Sequence, residues 1–147
     1  MTVSKEVIQY AIHKLSAKIE LMKTDILNDY PARKDTHRHM NPSHPTWSAY
    51  QELKRQASLH LTALSIFKHF GGKIPAKSDL RKAIRACCFL QHAPKGDKSK
   101  RNAFIFEAYS LLQSGFPEID RAAAMKHAEH RALEAAKAKE AKNAVSC

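Results

Sequence analysis

SKEVIQYAIHKLSAKIELMKTDILN, residues 4–28, sets Ile8, Ile12, Leu15, Ile19, Met22 and Ile26 at successive steps of 4, 3, 4, 3 and 4 residues. That rhythm follows the helical repeat and lays one apolar seam along a helix. Ser4 offers a capping hydroxyl at the start of the run. Pro31 closes it, because the residue before a proline is pushed out of the α region. At about 1.5 Å per residue such a helix is on the order of 35 Å long. The seam has two readings: one arm of an antiparallel hairpin with the next helix, or a homodimeric coiled coil through residues 8–26. Sustained coiled coils usually need more heptads than this, which favours the hairpin.

Outward from this element the chain keeps the same period. Residues 31–46 are polar and carry Pro31, Pro42 and Pro45, which makes them a connector. A second long helix is expected from Trp47 to Phe70, capped by Thr46 or Ser48. Tyr50, Leu53, Ala57, Leu61, Leu64 and Phe67 form its apolar stripe, with His60 beside it. Gly71-Gly72 ends it as a left-handed cap.

Ser78 is expected to cap a third helix that runs to Gln91 and stops before Pro94. After the basic loop Lys95–Lys100, Ser99 opens a fourth helix bearing Phe104, Ala108, Leu111 and Leu112, closed by Gly115. Pro117 leads into a final helix over 118–142. Its first half packs through Ile119, Ala122, Ala123 and Met125, and it has few large apolar residues after Leu133. Strand-like alternation is absent. The reading is an all-α protein: a long antiparallel helical hairpin, two shorter packed helices and a charged C-terminal helix. Residues 1–117 form the helical domain, and 118–147 form a charged tail that partly projects.

The totals agree with that architecture. A chain of 147 residues fits one domain, and 44% hydrophobic with 27% charged residues is ordinary for a soluble fold. No apolar run approaches the ~18–20 residues that cross a bilayer, and the N-terminus lacks a signal pattern. Adjacent Cys87 and Cys88 make poor disulfide partners, which points to a reducing compartment and a cytoplasmic location.

The charge is uneven. Of a net +11, the stretch from Lys68 to Arg101 carries +8, from ten basic residues against Asp79 and Asp97. On a helix at about 100° per residue, Leu80, Ile84 and Cys87 share the arc expected to face the core. Arg81, Lys82 and Arg85 fall on the adjoining arc, with Phe89 at its edge. Lysine and arginine that neutralise phosphates displace condensed counterions, and an aromatic beside them stacks on an unpaired base. The candidate nucleic-acid-binding residues are therefore Lys73, Lys77, Arg81, Lys82, Arg85, Phe89, Lys95, Lys98, Lys100 and Arg101. The structural alternative is a solvated basic face with Phe89 packed under the fourth helix. The link from Gly71 to Lys77 is longer than a helix-turn-helix turn, so that motif is not claimed.

Histidine and cysteine give little chemistry. His37, His39 and His44 supply three imidazoles and no thiolate, with only Asp35 or His60 in view as a fourth ligand, so no metal is expected. Trp47 instead reads as an anchor for the end of that connector. Cys88 and His92 are spaced to share a metal on a helix, but two ligands are too few. Cys87 reads as a small buried hydrophobe, and His127 and His130 as solvated. Four glycines, without a phosphate-cradling loop or nucleophile elbow, argue against catalysis and against a bound cofactor. The expectation is a basic, non-catalytic accessory or regulatory protein, of the sort mobile elements carry, whose partner is DNA or RNA rather than a membrane. The alternative partner is an acidic protein surface.

Overall fold

The computed structural model describes residues 3–28 and 47–145. Those residues form five α-helices and no strand: α1 Lys5–Asn28, α2 Trp47–His69, α3 Lys77–Arg85, α4 Lys98–Ser114 and α5 Arg121–Val145. No helix among them is long and apolar enough to cross a membrane.

The α1 seam points inward where it can. Ser4 Oγ accepts from the Val7 amide at 3.3 Å, the expected cap. Ile8 is fully buried, and Ile12 packs against the same core. Val7 and Ala11, one position off the seam, are buried with it. α1 lies along α2, α2 along α4, and α5 returns to α1.

On α2 the expected stripe is displaced. Tyr50 and Phe67 are buried, but the centre of the buried face is Leu59, Thr62, Ala63 and Ile66. Leu53, Ala57, Leu61 and Leu64 flank it, half-buried. α2 is covered from two sides, by α1 and α4, so its buried arc is wider than one stripe and admits the hydroxyl of Thr62. That hydroxyl is satisfied because it donates to the Ser58 carbonyl at 2.9 Å.

The helix ends set the path of the chain into the basic region. At the end of α2 the Gly72 amide reaches the Phe67 carbonyl at 2.8 Å and Gly71 reaches Lys68 at 3.1 Å, with both glycines at positive φ. This is a Schellman stop. The end of α3 repeats the pattern without glycine: Cys88 donates to Ala83 at 3.1 Å and Cys87 to Ile84 at 3.0 Å, with Cys87 at φ 60°.

α3 therefore ends at Arg85, not Gln91, and Ser78 lies within it. Its cap residue is Ala76, which has no side chain to offer. α4 is capped by Asp97 rather than Ser99; the Asp97 carboxylate accepts from Ser99 and Lys100 at 2.9 and 3.3 Å. Gly115, at φ 74°, ends it as expected. α5 starts at Arg121, with Asp120 accepting from Ala122 and Ala123. Its buried contact is Ala124, while Ala122 and Met125 face solvent. Residues 129–142 are exposed throughout.

Candidate nucleic-acid interface

α3 is nine residues long and strongly two-faced. Leu80, Ala83 and Ile84 are buried. On the other side Lys77, Arg81 and Arg85 recur every fourth residue and drift by about 40° per step, with Lys82 on the flank. All four cations are exposed, as is Lys73 in the link before the helix.

A buried hydrogen bond fixes how α3 meets α4. The Tyr109 hydroxyl donates to the Pro75 carbonyl at 2.6 Å, across 34 residues of chain. It holds the entry of α3 against the middle of α4 and sets Lys77 Nζ over the Phe106 ring, 5.9 Å from its centroid. Between the two helices lies a cavity of about 420 Å³, lined by Lys77, Arg81, Phe106, Tyr109, Ser110 and Gln113. A second cavity of about 440 Å³ opens at the start of α4, where Lys95, Lys98 and Arg101 meet Leu90, Pro94, Gly96 and Asp97.

Lys98 and Tyr109 are eleven residues apart, so they stand within about 20° of each other around the axis and about 16 Å apart along it. The two cavities meet along this line only: Arg101 stands about 60° to one side of it, and Gln113, Phe106 and Ser110 stand about 60–120° to the other, so they adjoin around α4. Lys100, two residues after Lys98, stands about 200° round the helix and belongs to a different side. Arg101 is half-buried, and its Nε is closed to solvent without a hydrogen-bond partner among the described residues. Buried donors of that kind are rare in proteins.

Acids do not neutralise this surface. Among the described residues the ion pairs join Arg55 to Glu52 and Glu107, and His130 to Glu134. None involves a cation between Lys73 and Arg101. The Asp97 carboxylate faces the α4 amides it caps.

Several side chains stand elsewhere than expected. Because α3 stops early, Phe89 is not on its basic arc. It sits at φ 67°, packed edge-on to His69 at 5.2 Å and beside Phe70 at 6.5 Å. Cys87 is exposed rather than in the core, since the left-handed turn swings it out. Cys88 and His92 are not on a helix, and the four-residue spacing loses its meaning.

His127 is half-buried rather than fully solvated. It packs 4.4 Å from His13 and 5.4 Å from Tyr10, where α5 meets α1. Desolvation, with His13, Arg131 and His130 nearby, holds its pKa below the ordinary value. His60 is likewise lowered, by burial above all. Its Nδ1–H donates to the Gln56 carbonyl at 2.7 Å and its ring meets Phe116.

Among the described residues no cluster of three or more His, Cys, Asp or Glu is arranged to hold a metal. His37, His39, His44 and Asp35 lie outside the described residues. Trp47 opens α2, half-buried, its ring 5.7 Å from that of Tyr50.

Sequence reasoning did not find Phe106, Tyr109, Ser110 and Gln113. Their spacing, i, i+3, i+4 and i+7, placed them on one helical face. What was missing was the knowledge that α3 borders that face. No family model, no curated protein and no solved structure matches the chain.

Proposed function

We propose that the chain is a non-catalytic nucleic-acid-binding protein, an accessory or regulatory factor of the cytoplasm, that takes the phosphate backbone along the α3–α4 face. The observation that supports this reading most directly is the group of cations with no ion pair among the described residues beside two adjoining cavities on α4. Lys77, Arg81 and Arg85 from α3, and Lys95, Lys98 and Arg101 from the start of α4, supply the phosphate contacts. Lys73 and Lys82 widen the field at the edge. Lys100, on another side of α4, and Phe89, packed against α2, take no direct part.

Phosphate contacts position a nucleic acid without reading its sequence, so this face gives affinity before specificity. Neutralising about five phosphates gives a log–log salt slope of roughly −3.5 to −4.5, or on the order of 100- to 500-fold weaker binding at 200 mM than at 50 mM salt. A mobility-shift titration across that range tests the reading. Arg81→Glu with Arg85→Glu is expected to flatten the slope and abolish the shift at moderate salt. Absence of a shift with both DNA and RNA at low salt refutes it. Retention of one defined acidic protein after nuclease treatment then favours a protein-docking role for the same face.

A further inference from the structure

We infer that the cavity between α3 and α4 is a subsite for one unpaired nucleotide, which makes the preferred ligand single-stranded nucleic acid. This rests on the nucleic-acid reading above and names the form of ligand that the same face takes.

The lining divides into three chemistries. Phe106 is half-buried: it packs against the core and lines the cavity. Lys77 and Arg81 stand on the α3 side, both exposed and neither in an ion pair among the described residues. Ser110 and Gln113 stand on the α4 side. The Ser110 hydroxyl donates to the Phe106 carbonyl at 3.1 Å, which leaves its oxygen lone pairs free to accept. The Gln113 carboxamide has no hydrogen-bond partner among the described residues, so it offers both a donor and an acceptor. Tyr109 is different: its hydroxyl is already spent on Pro75, so it contributes a wall and holds the site together.

A ligand that satisfies all three has a flat face, an adjacent negative charge and a polar edge. A nucleotide has these in one unit: a base, its phosphate and the hydrogen-bonding groups of the base. The volume, about 420 Å³, falls within the range of small-ligand sites. Base-paired nucleotides do not present a free face, because both faces of each base are covered in the stack. Lys77 already lies over Phe106, and on binding it exchanges the ring for a phosphate. The first-turn amides of α3 add to the positive field, since Ala76 supplies no capping oxygen to occupy them, and Asp79 in the same turn offsets part of it. The second cavity, about 16 Å further along α4, is placed to hold the backbone of a nucleotide beyond the immediate neighbour through Lys95 and Lys98.

The test compares three ligands on the full chain by fluorescence anisotropy at low salt: a labelled oligothymidylate, the same sugar–phosphate backbone with abasic sites, and a blunt duplex. The expected result is tighter binding of the base-bearing strand than of the abasic strand by roughly 5- to 150-fold, the effect of one stacked base. Phe106→Leu lowers the ratio of base-bearing to abasic affinity, whereas Lys77→Ala and Arg81→Ala weaken both ligands together. Equal affinity for the abasic and base-bearing strands, or preference for the duplex, overturns the subsite and leaves general phosphate binding intact. No binding of any of the three overturns the nucleic-acid reading and the subsite together. The ligand comparison uses the unmodified chain, so it separates these outcomes even where Phe106→Leu does not fold.

Discussion

Tyr109→Phe removes one oxygen and tests how α3 is held. The hydroxyl and the Pro75 carbonyl meet at 2.6 Å, and both residues are buried. Deleting the donor leaves a buried carbonyl unpaired, a penalty within the range of about 1–3 kcal/mol. A loss of about 2 kcal/mol is expected. With an unfolding entropy of about 2.1 cal/mol/K per residue, a chain of 147 residues unfolds with roughly 0.3 kcal/mol/K, so Tm falls by about 6 °C. Thermal and urea melts followed by far-UV circular dichroism measure both quantities. The urea midpoint should fall with an unchanged slope, because the exposed surface does not change. Tyr50→Phe is the control: that ring is buried, but its hydroxyl has no partner among the described residues, and stability should move by no more than about 0.5 kcal/mol. The Tyr109→Phe variant should also bind oligonucleotide more weakly, although the lost hydroxyl touches no ligand, since Lys77 and Arg81 lose their fixed distance from Phe106. If Tyr109→Phe melts with the unmodified protein, the bond does not hold α3, and the account of how the cavity is kept open fails with it.

Two further outcomes follow from the local geometry. Cys87→Gly should raise stability by about 1 kcal/mol and Tm by about 3 °C, because Cys87 occupies a left-handed position that costs a residue with a Cβ roughly 1–2 kcal/mol; an unchanged or lower urea midpoint contradicts this. Acidification should destabilise the fold. His60 and His127 both have lowered pKa values when folded, so from about pH 7 downward the unfolded chain gains protons that the folded one refuses. The contribution is constant above the ordinary histidine pKa near 6.5 and is lost as pH falls through the lower folded values. Glu118 partly offsets the effect at His60, and His13, Arg131 and His130 reinforce it at His127. Urea midpoints at pH 8 and pH 5.5 measure it, and His60→Gln should shrink the difference. Equal midpoints at the two pH values would rule the effect out.

What could be read from the sequence depended on length and on the chemistry of the stops. α1 and α2 repeat their apolar spacing over many turns, which makes their existence and extent legible, although packing from two sides moves the buried centre of α2 to Leu59, Thr62, Ala63 and Ile66. Gly71-Gly72 and Gly115 announce their ends because glycine takes positive φ without strain. The end of α3 was illegible for the converse reason. Arg85 to Gln91 contains neither glycine nor proline, and the left-handed turn is made by cysteine and phenylalanine, whose propensities give no warning. That one stop moved Cys87 to the surface and carried Phe89 across to α2. The cations were visible as a cluster in composition. The aromatic floor they share was not, because no local pattern around Phe106 and Tyr109 tells that α3 lies beside them.

The energetics of α3 single it out. Nine residues are too few for a helix to stand alone in water, since isolated helices below about 12 residues are marginal. It persists on Leu80 and Ile84 in the core and on the bond between Tyr109 and Pro75. Yet its outer face spends part of that support. Lys77 to Arg81 and Arg81 to Arg85 are like charges four apart, each pair costing about 0.2–0.5 kcal/mol. Lys77 also stands in the first turn, where the helix dipole disfavours a cation. Either fault would be mended by a glutamate or a serine, and neither is mended by an ion pair among the described residues. A local conflict that the rest of the fold must support is characteristic of a surface shaped for a ligand. An anion seated between Lys77 and Arg81 removes the repulsion and meets the open α3 amides at once. Its binding and the stability of α3 are then two measures of the same charge balance.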